Sequence, residues 1–265
     1  MARSSNDPLQ ASDILEYLEG QDDFSLELRT VRCAHELGFD VTHGGTYTDP
    51  ATNKPRQYDV RAGIAKGRAQ VQLTIECKSL EKSCPLVVSR VPRTKVESFH
   101  ECVCGVPDKV PALEVRRVKN SALYPISKKV GKSTVQPRRT DKGWSAQDAP
   151  TYEKWSQALA SADELIGRAE QAMEPLTKVL KKAFFLPVLV VSNGTLWSVD
   201  YDANGEILFG PQLQDEVELF VGKKYGSGAK RYVVSHLHVC TEVGLKALLE
   251  RIADDDYWLG LVFDD

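Results

Sequence analysis

The stretch from Ala69 to Leu80 constrains this chain most. Val71, Leu73, Ile75 and Cys77 alternate with Gln70, Gln72, Thr74, Glu76 and Lys78, the period of two that gives a strand one core face and one polar face. The segments before it read as its neighbours. Asp22-Asp23 before Phe24 starts a helix running to Gly38, where glycine suits a C-terminal cap. Residues 39–47 read as a strand, residues 48–55 as a turn, and Gln57 to Ile64 as a second strand. The tight turn at Ala65-Lys66-Gly67-Arg68 makes a hairpin of the second strand and the Ala69 strand. Ile14 to Leu18 is a shorter helical stretch before them.

Beyond Leu80 the pattern is less regular. Residues 81–150 are rich in Pro, Lys and Arg, with a strand expected at Leu86 to Val91 and a short helix near Lys95 to Val103. This region reads as an elaborated insertion into one domain spanning residues 1–265, not as a second domain. Trp155, Leu159, Ala162, Leu165, Ile166, Ala169, Met173, Leu176 and Leu180 fit an amphipathic helix from Tyr152 to Lys182, bent or broken at Pro175. Leu186 to Ser192, Thr195 to Tyr201 and a further strand follow, separated by the hairpin signals Asn193-Gly194 and Asp202-Ala203-Asn204-Gly205. A last strand, Arg231 to Cys240, feeds a helix at Glu242 to Ala253. The expected fold class is α/β, a mixed central β-sheet flanked by helices.

Composition excludes some classes of function and hints at others. With 42% hydrophobic and 27% charged residues in 265, the chain is that of a folded globular protein. It has no apolar run of membrane-helix length and no apolar leader in MARSSNDPLQ, so a cytoplasmic location is expected. Its six cysteines are then expected as reduced thiols. The net charge of −3 conceals a basic island between residues 116 and 142. There Arg116, Arg117, Lys119, Lys128, Lys129, Lys132, Arg138, Arg139 and Lys142 face Asp141 alone, nine cations against one acid. An island of +8 on a body carrying −11 suits a polyanionic partner, although a solvated loop has the same composition.

The chemistry gathers on the alternating strand. Glu76 and Lys78, two residues apart, leave the same face, while Cys77 points into the core and its backbone carbonyl can join a cation site. Asp59 lies on the preceding strand, so two carboxylates converge across the hairpin. Hard divalent cations such as Mg²⁺ are held by one or two carboxylates, waters and substrate phosphate oxygens. Glu27 falls on or beside the apolar face of the first long helix, four, seven and ten residues before Val31, Ala34 and Leu37. It either joins the cation site or sits at the edge of that face, or pairs with Arg61.

Together these residues resemble the PD-(D/E)xK nucleases, the restriction-endonuclease-like fold. The resemblance covers about residues 24–80, in order: the helix with Glu27, Gly38-Phe39-Asp40-Val41, Tyr47-Thr48-Asp49-Pro50, Arg56-Gln57-Tyr58-Asp59-Val60, and Ile75-Glu76-Cys77-Lys78. Tyr58 stands where the family usually has proline. The resemblance implies Asp59, Glu76 and the Cys77 carbonyl as metal ligands, Lys78 as the water-positioning residue and Glu27 as a further acid at the metal. It also sets Gln157 beside the helical glutamine of some members. It implies Mg²⁺, with Mn²⁺ able to substitute, and hydrolysis of phosphodiesters in nucleic acid, with DNA the expected substrate. A setting in restriction or bacterial phage defence, a homodimer and a regulatory protein partner follow by analogy only. The basic island, Arg116, Arg117, Lys119, Lys128, Lys129, Lys132, Arg138 and Arg139, is then the nucleic-acid-binding surface, with Tyr124, Trp144 and Tyr152 as stacking candidates. The alternative is a catalytically silent or partner-activated binding subunit with the same fold.

Three other signals carry less. Val130-Gly131-Lys132-Ser133 ends like a phosphate loop but has Ile126 where that loop needs glycine. His236, His238 and Cys240 share a strand face, and His100, Cys102 and Cys104 cluster with Cys84, but neither set has zinc-site spacing.

Overall fold

Strands from both halves of the sequence hydrogen-bond into one mixed sheet of 12 strands. The computed structural model describes residues 8–21, 23–67, 69–105, 113–146, 149–173, 182–225, 231–254 and 260–263. In chain order the elements begin with α1 (Ala11–Gln21), α2 (Asp23–Glu36), β1 (Asp40–Thr48), β2 (Pro55–Lys66), β3 (Ala69–Lys78) and β4 (Leu86–Pro92). Next come β5 (Phe99–Gly105), β6 (Leu113–Lys119), β7 (Lys129–Val135), β8 (Pro137–Thr140), β9 (Gly143–Ala146) and α3 (Ala149–Met173). The chain continues with β10 (Lys182–Val191), β11 (Leu196–Tyr201), β12 (Ile207–Leu213), β13 (Glu216–Tyr225), β14 (Tyr232–Thr241) and α4 (Glu242–Ala253). The main path of the sheet is β1-β2-β3-β10-β14-β13-β7-β4-β11-β12, with β5 and β6 branching from β10. Among the described residues, no helix is long and apolar enough to cross a membrane.

The α/β architecture expected from the sequence is present as a large mixed sheet with few helices. α2 buries Leu26, Thr30 and Ala34, one residue per turn, and stops where Gly38 adopts φ +82, a conformation that side chains with a Cβ rarely take. The β1–β2 connection is fastened by Asp49, whose Oδ1 accepts from the amides of Ala51 and Thr52. β2 and β3 pair antiparallel from Lys66↔Ala69 to Val60↔Ile75, and β3 then pairs parallel with β10 along its whole length. Helices cover both faces. Val71, Leu73, Ile75 and Cys77 of β3 pack in one core with Leu26 and Ala34 of α2 and Leu245, Leu248, Leu249 and Ile252 of α4. The opposite face lies under α3, where Thr74 Oγ1 donates to the carbonyl of Ala158 (2.8 Å).

Several expectations need correction. The helix near Lys95 to Val103 is instead β5, a strand whose residues Phe99 to Cys104 are all buried. It is buried on both faces, so it lacks the alternation that marks a half-buried strand. The region read as an insertion, residues 81–150, contributes β4 and β7 to the main sheet, where they pair with each other. Asn193-Gly194 is a turn but not a hairpin, since β11 pairs with β4 and β12 and not with β10. Asp202 to Gly205 does join the antiparallel pair β11–β12. Gly131 belongs to β7, where a Cβ would collide with Leu219 and Val88. Close strand approach, not phosphate binding, explains that glycine. Pro175, the expected bend, lies outside the described residues.

Candidate active site

The ladder between β2 and β3 ends at Val60↔Ile75, and the next residue of β2 is Asp59. Its side chain continues the pairing in place of the backbone, since Oδ2 accepts from the Cys77 amide at 2.8 Å. That bond fixes the Asp59 carboxylate beside Glu76. Glu76 is 1% exposed, and neither of its carboxylate oxygens has a hydrogen-bond partner among the described residues. A buried carboxylate left without such partners is costly. Burial first, and then the neighbouring Asp59 charge, push its pKa well above the ordinary glutamate range.

The positive charge at this pair comes from α3. Lys154 Nζ lies 2.7 Å from Asp59 Oδ2 and 3.5 Å from Glu76 Oε2. Burial by itself disfavours the ammonium, but Asp59 and Glu76 outweigh it and the lysine pKa is raised. Three residues of the sheet hold the helix in place. Arg61 of β2 donates to Ser161 Oγ and to Glu164 Oε2 (2.6 Å), Thr74 holds the Ala158 carbonyl, and Tyr47 donates to the Gln157 carbonyl. Arg61 is therefore spent on α3 and does not pair with Glu27.

Asp59, Lys78, Lys154 and Gln157 line one polar cleft of about 460 Å³, together with Arg56 and Glu153. Lys78 reaches it from β3, with its ammonium held by Asp23 at 3.0 and 3.3 Å. Asp23 is itself fixed by the Ser79 amide (2.6 Å). Glu27 is not in the lining; it contacts His43 of β1 at 2.9 Å. Cys77 points away into the core as expected, where burial raises its thiol pKa and its Sγ donates to Thr30 Oγ1. Sequence reasoning missed Lys154 and Asp23. Lys154 precedes Gln157 by three residues and Asp23 precedes Glu27 by four, so helical spacing already set each beside a residue it had singled out.

The donor chemistry fits a hard divalent cation. Two carboxylates converge, one of them without hydrogen bonds among the described residues, and the Lys154 ammonium lies within ion-pair distance of both. Among the described residues no three His, Cys, Asp or Glu side chains form a ready ligand group. A cation here would be held by Asp59 and Glu76 and completed by waters or phosphate oxygens, as suits Mg²⁺.

The basic island is partly neutralised by the fold. Arg116 pairs with Glu114, Arg117 with Glu101 (2.6 Å), Lys129 with Asp200 (2.7 Å) and Lys132 with Glu97. Lys119, Lys128, Arg138 and Arg139 are exposed. The last two stand on the small β8–β9 ribbon, where Arg139 lies over the Trp144 ring at 5.1 Å. Trp144 and Tyr152 are exposed, but Tyr124 is buried and is no platform for a base. Its ring stacks on His236 at 3.7 Å, and its hydroxyl contacts His238 Nε2, whose Nδ1 contacts Glu216. Burial, then Arg93, push His236 down to about 2, so it stays neutral. His100 is taken up by Ser121 and the Val262 carbonyl.

Compared with protein-family models, with curated proteins and with solved structures, the chain matches none.

Proposed function

We propose that the protein is a Mg²⁺-dependent nuclease of the PD-(D/E)xK type that hydrolyses phosphodiester bonds in nucleic acid, with DNA as substrate. The observation that carries this reading is the buried Glu76 carboxylate, without hydrogen-bond partners among the described residues, which lies behind Asp59; Asp59 itself lines the cleft with Lys78, Lys154 and Gln157, and Glu76 does not. Asp59 and Glu76 would hold the cation. When bound, such a cation supplies Lewis-acid activation of water and neutralises charge on the phosphoryl oxygens. The Cys77 amide keeps the Asp59 carboxylate aimed at the cleft. Lys78, steadied by Asp23, orients the attacking water, and Gln157 and Lys154 contact the phosphate from the helix side. Arg138, Arg139 and Lys128 add sequence-independent attraction for the backbone. Restriction or phage defence is the setting this chemistry suits.

One observation favours a second reading, a catalytically silent or partner-activated binding subunit. Lys154 already neutralises the acid pair, so a cation must displace it or share the site. Incubating supercoiled, linear and single-stranded DNA and RNA with the protein in Mg²⁺ or Mn²⁺, with a chelator control, separates the two. Chelator-sensitive cutting supports the nuclease. Binding without cutting supports the subunit.

A further inference from the structure

A second cleft, of about 430 Å³, opens on the other flank of the same helix, lined among others by Tyr152, Trp155, Phe220, Tyr225 and Lys223. That volume is within the roughly 300–1,000 Å³ of small-molecule sites. The acid cleft takes Glu153, Lys154 and Gln157 from α3 and Arg56 from the start of β2. The aromatic cleft takes Tyr152, Trp155 and Ser156 from the same turns, and Asp49 to Ala51 from the β1–β2 turn. The two clefts are thus separated by little more than a helix, about 10–12 Å across. Their linings differ in kind. One is charged and suits a phosphate; the other offers flat aromatic surface with one lysine, Lys223, and one acid, Asp49, in its lining.

Tyr152 is 58% exposed although it is a large aromatic, and its ring meets Trp155 edge-on at 4.6 Å between centroids. The Trp155 indole N–H has no hydrogen-bond partner among the described residues. That N–H is buried, so what the cleft offers a ligand is the solvent-facing Tyr152 ring, which suits a planar ring better than an aliphatic group. Lys223 offers an ammonium to a neighbouring phosphate, while Asp49 adds one negative charge to the same lining, so the aromatic surface and not net charge selects the ligand.

We propose that this cleft receives an unpaired nucleobase of the strand whose phosphate enters the acid cleft, with the base stacked on Tyr152. The inference rests on the nucleic-acid reading above and narrows it to substrates with a single-stranded or extruded base. The position is distinct from the basic island and needs none of its residues.

The test is binding in the presence of a chelator, by fluorescence anisotropy, of a single-stranded oligodeoxythymidylate and of an abasic strand of equal length. Wild type should prefer the base-bearing strand by at least about five-fold, in keeping with the stacking of one base. Tyr152→Ala should lose that preference with little change toward the abasic strand, and Tyr152→Phe should retain it. A Tyr152→Ala protein that discriminates as wild type does, or a wild type that does not discriminate, overturns the proposal. The same preparations are then given Mg²⁺. Base-dependent binding without cleavage leaves the base site standing and removes the nuclease reading, whereas cleavage unaffected by Tyr152→Ala does the reverse. A wild type that binds neither strand overturns both.

Discussion

The ammonium of Lys154 lies 2.7 Å from Oδ2 of Asp59, so the helix covering the sheet already brings one positive charge to the acid pair. A divalent cation and this ammonium compete for the same carboxylate. Lys154→Met should tighten Mn²⁺ binding by at least about tenfold, roughly 1.4 kcal/mol, measured by calorimetric titration. Unchanged or weaker binding would show that the lysine does not hold the cation position.

Glu76 makes the site sensitive to pH. Its carboxyl is raised in the folded state by burial and then by Asp59. A raised carboxyl stabilises the fold below its ordinary value of 4.5, and that stability is lost as pH rises through the folded value. Cation binding needs the ionised form, so apparent Mn²⁺ affinity should rise with pH and offset the lost stability. Titrations from about pH 5 to about pH 9 should show this slope in wild type and a flatter one in Glu76→Gln. Equal slopes in the two proteins would remove Glu76 from the site.

Arg61 ties β2 to α3 through Ser161 and Glu164 and is 6% exposed. Its loss leaves Glu164 without that partner and frees the helix that carries Lys154 and Gln157. Arg61→Ala should cost about 3 kcal/mol in urea denaturation, the low end for breaking a buried pair. It should also speed amide exchange in α3. A cost under about 1 kcal/mol would mean that other contacts hold the helix.

The basic island divides into cations paired with acids and the exposed arginines of the β8–β9 ribbon. Arg138→Glu with Arg139→Glu should weaken nucleic-acid binding and lower the salt slope by about 2, while leaving thermal stability near wild type. Arg117→Ala removes the charged partner of the buried Glu101 and leaves its carboxylate to the Val233 amide, so it should act mainly on stability. Equal effects on binding from the two groups would contradict this division.

The hairpin and its acids were legible because they depend on local pattern. Val71 to Lys78 alternates strictly, and Gly67 and Gly38 mark the turn and the cap. Gln157 was singled out by the resemblance alone, and the fold sets it in the lining of the cleft that holds Asp59 and Lys78. What covers the polar face of β3 was not legible, because nothing within Ala69 to Leu80 says that a helix some 75 residues later will bury Glu76 and bring Lys154 to it. β5 was misread for a related reason. Burial on both faces erases the alternation that distinguishes strand from helix. The island's formal charge is as counted, but its partial neutralisation was not legible, because Glu97, Glu101 and Asp200 lie outside it in sequence and reach Lys132, Arg117 and Lys129 only in the folded chain.

The most direct measurement is cleavage of supercoiled plasmid in Mg²⁺ by wild type, Asp59→Ala and Glu76→Ala, each first shown to be folded by circular dichroism. A cation site at Asp59 and Glu76 requires nicking or linearisation by wild type alone, stopped by a chelator and at least about 100-fold slower in both variants. Cleavage that persists at the wild-type rate in the variants would contradict it.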